Sequence, residues 1–167
     1  MKKFRIIIGC LFLVTLIFVP VGQVLASVAD NFCSASIDRL GRNESSIRQK
    51  YGEPLSTEIS NIRNPHWPDV VDKTIEYKYE KLSFLFYRPS QTPGSKILMN
   101  ITVTDPSMKF SGLKIGSTKE EVEKVLGCGT PWEDDLVFED VEGLESVNIK
   151  FDKNDRVVKF LFIPYTD

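Results

Sequence analysis

Two short segments that begin at Gly41 and Gly116 carry the same helix punctuation, and this pairing constrains the fold more than anything else in the chain. In "GSTKEEVEKVLGCGTP", Ser117 is placed as an N-cap with Glu120 three residues on, the spacing of a capping box. Val122, Val125 and Leu126 fall on one face, Gly127 ends the helix and Pro131 prevents its resumption. In "GRNESSIRQKYGEP", Asn43 takes the capping role, Ile47 and Tyr51 stand where Val122 and Leu126 stand, and Gly52 and Pro54 close the segment.

Each segment is followed by three runs rich in β-branched and aromatic residues. After the first come Thr74–Tyr79, Leu82–Tyr87 and Ile97–Val103; after the second come Leu136–Val141, Ser146–Phe151 and Val157–Ile163. Short turns between the runs favour antiparallel pairing, since parallel strands need long crossovers. The expected fold is α+β: two tandem repeats, residues 27–104 and 105–167, each a helical segment packed on an antiparallel sheet of about three strands. A further helix is expected from Ser27, acting as cap, to Leu40, with Val28, Phe32 and Ala35 facing inward.

The first residues read differently. Lys2, Lys3 and Arg5 precede an apolar run from Ile6 to Val19, then Pro20 and small residues around Ala26, the layout of a secretory signal peptide covering residues 1–26. That run is 14 residues, short of the roughly 20 needed to span a bilayer. Cys10 has too little signal ahead of it for lipid attachment, and Cys33 lacks a small residue before it, so no stable membrane anchor is expected after cleavage. The remaining 141 residues suit one compact domain and carry 18 basic against 23 acidic side chains, which argues against nucleic acid as a partner. In an oxidising compartment Cys33 and Cys128 read as one disulfide, unless the fold holds them too far apart.

With the strand runs in place, "GLKIGSTKEEVEKVLGCGTP" and the later "FDKNDRVVKFLF" hairpin resemble the small bacterial envelope domains of the β-lactamase-inhibitor-protein-like group. That group takes in the small lipoprotein of the outer-membrane β-barrel assembly machinery. The resemblance rests on Gly116, Ser117, Thr118, Val122, Leu126, Gly127 and Pro131. It implies a non-catalytic protein that binds another protein.

Little catalytic chemistry is legible. His66, the one histidine, sits in "NPHWPD" between two prolines, with no nucleophile motif to serve. The cysteines, histidine and carboxylates show no zinc-ligand spacing, and "DKNDR" lacks the central glycine and closing glutamate of a calcium loop, so no metal and no cofactor is expected. The acidic stretch Glu133–Glu145 reads as a solvated strand face or as bait for a basic partner. His66 and Trp67 in the long Pro54–Asp72 connection, and Trp132 after the second capped helix, are the candidate partner-binding residues. Trp132 has the alternative role of covering the end of the core.

The expected function is a soluble periplasmic or secreted protein-binding module, with an inhibitor or immunity protein of an exported enzyme as its sharper form. A cell-envelope assembly or structural factor is the alternative, and a hydrolytic enzyme is the least supported.

Overall fold

A computed structural model describes residues 21–64, 66–133, 135–140 and 142–165 of the chain. Residues 1–20, which hold most of the expected signal segment, lie outside the described residues.

Three helices occur among the described residues: α1 (Val21–Leu40), α2 (Glu44–Tyr51) and α3 (Lys119–Leu126). Helix α1 already includes Val21, so Ser27 lies inside it and does not cap it. It turns Ala29, Phe32, Cys33, Ser36, Ile37 and Leu40 inward at helical spacing, while Ala35 faces water, so its buried stripe is rotated from the expected one. Gly41, at φ 114, breaks the helix and donates its N–H to the Ile37 carbonyl at 2.8 Å. A side chain there would press on Ile47, the buried residue of α2.

Helix α2 is capped as expected, the Asn43 side chain accepting from the Ser46 N–H at 2.9 Å. Helix α3 is capped one residue later than expected. Thr118 Oγ1 accepts from the Glu121 N–H, and the Glu121 carboxylate accepts from the Thr118 N–H. Ser117 is unavailable because its carbonyl accepts from the Val157 N–H at 2.9 Å, stitching the helix entry to the last strand.

Eight strands follow among the described residues: β1 (Ser56–Arg63), β2 (Val71–Lys78), β3 (Leu82–Arg88), β4 (Ile97–Val103), β5 (Thr130–Trp132), β6 (Asp135–Glu139), β7 (Ser146–Phe151) and β8 (Val157–Ile163). They form one antiparallel sheet in the order β1-β2-β3-β4-β8-β7-β6-β5. This overturns the expected pair of repeats, each a helix on three strands. Two of the strands, β1 and β5, were not anticipated, and β4 pairs with β8 through Ile101↔Phe162, Thr102↔Leu161 and Val103↔Phe160. The physical reason is that both strands are strongly apolar and each would otherwise leave a ladder edge unpaired; joining them satisfies both edges and fuses the two cores.

Alternation along the strands sends Ile75, Tyr77, Phe84, Phe86, Ile101, Val103, Val147, Ile149, Phe160 and Phe162 to the helix-covered face. Phe32 of α1 meets Phe162, and Tyr51 of α2 meets Phe84, with ring centroids 6.2 and 5.7 Å apart. Each buried phenylalanine contributes on the order of 2–3 kcal/mol by removal from water. A polar clamp fixes α2 to the sheet: Glu44 accepts from Tyr77 Oη at 2.7 Å, Arg48 Nε at 2.9 Å and Lys96 Nζ at 2.5 Å. Burial alone would raise the Glu44 carboxyl, but the bonds from Lys96, Tyr77 and Arg48 prevail and hold it at about 2.

Candidate functional site

The β1–β2 connection carries two of the candidate residues, His66 and Trp67. Asn64 follows the last residue of β1 and donates its N–H to the Val70 carbonyl at 2.9 Å, so the ladder continues one pair past the strands. Its side-chain oxygen accepts from the N–H groups of His66 and Trp67 at 2.8 and 2.9 Å, an Asx-type turn. The Val70 N–H then returns to the Trp67 carbonyl at 2.9 Å.

Asp72, the second residue of β2, anchors this loop from below. Its carboxylate is fully buried and sits on the strand face opposite Ile75 and Tyr77. One oxygen accepts from Tyr87 Oη at 2.5 Å and from Asn64 Nδ2 at 2.7 Å; the other accepts from the Ser90 N–H at 2.8 Å. The Tyr87 hydroxyl first, then the Ser90 N–H and Asn64, hold the Asp72 carboxyl at about 2 against the upward push of burial. The same bond pushes the Tyr87 phenol up. A carboxylate saturated in this way is a fixed acceptor at neutral pH, and its chemical role is to position the two loops that meet over it.

His66 and Trp67 are therefore brought together on a braced backbone, their rings edge-on with centroids 6.1 Å apart. Trp67 is 54% exposed. Trp132 stands elsewhere. It ends β5, the opposite edge of the sheet, and is 66% exposed, so it does not cover the core as the alternative reading held. Seven strand spacings of about 4.8 Å put it roughly 34 Å from the Trp67 edge along the sheet. The three candidate residues thus form one pair and one separate position.

The cysteines are not joined. Cys33 is buried in α1 with its thiol 3.9 Å from the Phe138 carbonyl, whereas Cys128 is a free, exposed thiol just beyond the end of α3. The expected bridge is absent from this structure because α1 turns Cys33 into the core while Gly127 leads Cys128 outward.

The acidic stretch is partly structural. The Asp140 carboxylate accepts the N–H groups of Leu144 and Glu145 at 2.6 and 3.0 Å. Glu145 is buried and accepts from Ser34 Oγ at 2.7 Å and Arg42 Nη1 at 2.5 Å. Burial opposes its ionisation, yet Arg42 and Ser34 keep its carboxyl below the usual range. In "DKNDR", Asp152 accepts the Asn154 and Arg156 N–H groups at 2.8 and 3.0 Å, closing a hairpin turn. Among the described residues no three His, Cys, Asp or Glu side chains converge as a metal site. Likewise, no helix among them is long and apolar enough to cross a membrane.

Asn64, Asp72 and Tyr87 escaped the sequence reading. Asn64 stands before Pro65, a turn-initiating dipeptide, and that signal was available. Nothing local marks Asp72 or Tyr87, because the burial of Asp72 and its bond to Tyr87 depend on two loops meeting over one strand.

No family model and no curated protein matches this sequence. Among solved structures, an extracellular protein containing an SCP domain from Bacillus anthracis is similar over 77% of this chain at 12% identity and a TM-score of 0.46. The chain spans 45% of that protein's length. A DUF4309 family protein from Bacillus subtilis is similar over 85% of this chain and 99% of its own, at 14% identity and a TM-score of 0.43.

Proposed function

We propose that this chain is a periplasmic or secreted, non-catalytic protein-binding module whose contact site is the Trp67 loop. The observation that carries the reading is the combination of a half-exposed tryptophan with a backbone braced by Asn64 and the buried Asp72. Tryptophans in such settings dominate binding energies, and a pre-ordered loop loses little entropy on association. The amino-terminal layout supports export, and the resemblance of the Gly116–Pro131 segment to protein-binding envelope domains agrees with the same reading.

The test is affinity capture from the envelope and extracellular fractions of the source cell, with wild type, Trp67→Ala and Trp132→Ala as parallel baits. A partner retained by wild type and Trp132→Ala but bound at least about 30-fold more weakly by Trp67→Ala, a loss of about 2 kcal/mol, is expected. Equal capture by wild type and Trp67→Ala refutes the site.

A further inference from the structure

The two sheet edges differ. Strand β5 is three residues long with Pro131 at its centre, the kind of short, proline-bearing edge that resists further pairing. Strand β1 is eight residues long, contains no proline, and pairs with β2 in unbroken register from Ser56↔Lys78 to Arg63↔Val71. It is exposed along almost its whole length, and it presents Ile59 at 59% exposure.

The hydrogen-bond phase of β1 can be read from its end. Because the Asn64 N–H bonds the Val70 carbonyl, the even-numbered residues Ser56, Glu58, Ser60 and Ile62 direct their backbone groups at β2. Thr57, Ile59, Asn61 and Arg63 direct theirs outward, as a ladder that no strand among the described residues uses.

We propose that β1 is a homodimer interface, the β1 strand of a second copy adding antiparallel about a two-fold axis at Ser60. This register pairs Thr57 with Arg63 of the second copy and Ile59 with Asn61 of the second copy, engaging all four outward residues of both chains. Glu58 faces Ile62 of the second copy, so neither Glu58 nor Arg63 meets a like charge. Glu58 is in any case matched within its own chain by Lys78 at 2.5 Å. The two Ile59 side chains lie diagonally across the axis on the helix-covered face, within reach of each other. The register centred on Ile59 instead pushes Arg63 past the strand end and wastes part of the ladder. In this one register every outward backbone group of both strands is used, no like charges face each other and the two exposed Ile59 side chains cover one another, and this self-complementarity makes a second copy the occupant. Seven overlapping residues per strand make an interface below the usual ~800 Å² per partner, so the dimer forms in the micromolar range or weaker. The pairing goes beyond the Trp67 contact and would set two such loops on one assembly.

The test uses protein purified from cells carrying the full-length gene, in a Cys128→Ser background. Ser60 meets its own copy in a non-hydrogen-bonded pair, where Cα atoms stand about 4.5 Å apart, inside the ~4.4–6.8 Å range a disulfide spans. Mild oxidation of Ser60→Cys should give a covalent dimer at least about tenfold faster than Glu58→Cys, which faces Ile62 of the second copy. In sedimentation, the mass of the wild type should double between about 1 and about 500 µM. Asn61→Pro removes an outward N–H and should remain monomeric with an unchanged circular dichroism spectrum. A wild type that stays monomeric with no selective Ser60→Cys crosslink overturns the proposal. So does a dimer that crosslinks equally at both positions. Capture of a foreign chain by Ser60→Cys, with no self-crosslink, also overturns it, in favour of a partner's extended segment. Should Asn61→Pro fail to fold, the crosslinking comparison decides alone.

Discussion

Replacing Asn64 with alanine removes four side-chain hydrogen bonds: to Asp72 at 2.7 Å, to Tyr87 at 3.3 Å, and from the N–H groups of His66 and Trp67 at 2.8 and 2.9 Å. The two loop bonds are worth about 1 kcal/mol each, the charged bond to Asp72 about 1.5–3 kcal/mol, and the long contact to Tyr87 little. Against this sum, the released N–H groups gain water once the loop opens, and Asp72 keeps its bonds to Tyr87 and Ser90. The expected net loss is about 2–3 kcal/mol, seen as a lower urea midpoint with an unchanged slope. In a Trp132→Phe background Trp67 is the one remaining tryptophan, so acrylamide quenching and emission report the loop directly. Quenching should rise, and amide exchange at His66 and Trp67 should quicken far more than at Phe84 or Phe160. A stability change under about 0.5 kcal/mol with unaltered quenching would refute the bracing argument. Asn64→Asp sharpens the test, since it sets a second carboxylate against Asp72, and one of the pair must then hold a proton. That variant should be less stable at about pH 7 than at about pH 5, the reverse of ordinary acid sensitivity.

The Glu44 clamp predicts a different pH response. Its folded value of about 2 lies below the ordinary 4.5, so its contribution is present above about pH 4.5 and is lost as pH falls toward 2. Glu44→Gln should therefore be less stable by about 1–2 kcal/mol near neutrality, the difference shrinking to nothing at the acid end in pH-dependent urea titrations. Glu145→Ala removes the partner of Arg42 and Ser34 and should destabilise by about 2–3 kcal/mol. Proteolysis within α1 should then quicken before the sheet is touched. At Gly129 an added Cβ would lie 2.7 Å from the Phe138 ring, so Gly129→Ala should cost about 1–3 kcal/mol in thermal unfolding. Phe138→Leu should recover part of that loss in the double mutant.

Strands that bury one face were legible. Ile97–Val103, Ser146–Phe151 and Val157–Ile163 have the bounds the sequence suggested, because alternation imprints a strand wherever one face enters the core. β1 was not, since "STEISNIR" is wet on both faces and carries no such imprint. β5, at three residues around a proline, has no pattern to read. Short-range capping chemistry showed where α2 and α3 lie, but the choice of Thr118 over Ser117 depended on a tie to Val157, far away in sequence. The two-repeat expectation failed for the same reason: the pairing of β4 with β8 is a long-range event that leaves no mark in either strand. At the candidate site Trp67 could be named from its setting, whereas the buried carboxylate that steadies it could not.

The three-pair join between β4 and β8 bears on how the chain reaches this structure. Every other neighbouring pair of strands is consecutive in sequence, so each can zip from its own turn with little loop entropy. The β4–β8 join must close a span of more than 50 residues, and closure over such a span is slow compared with hairpin formation. Until β8 emerges, β4 offers the apolar run "ILMNITV" as a bare edge to any other strand nearby. The final strand thus acts as a chaperone built into the chain, and the interval before its arrival is when this protein is most exposed to aggregation.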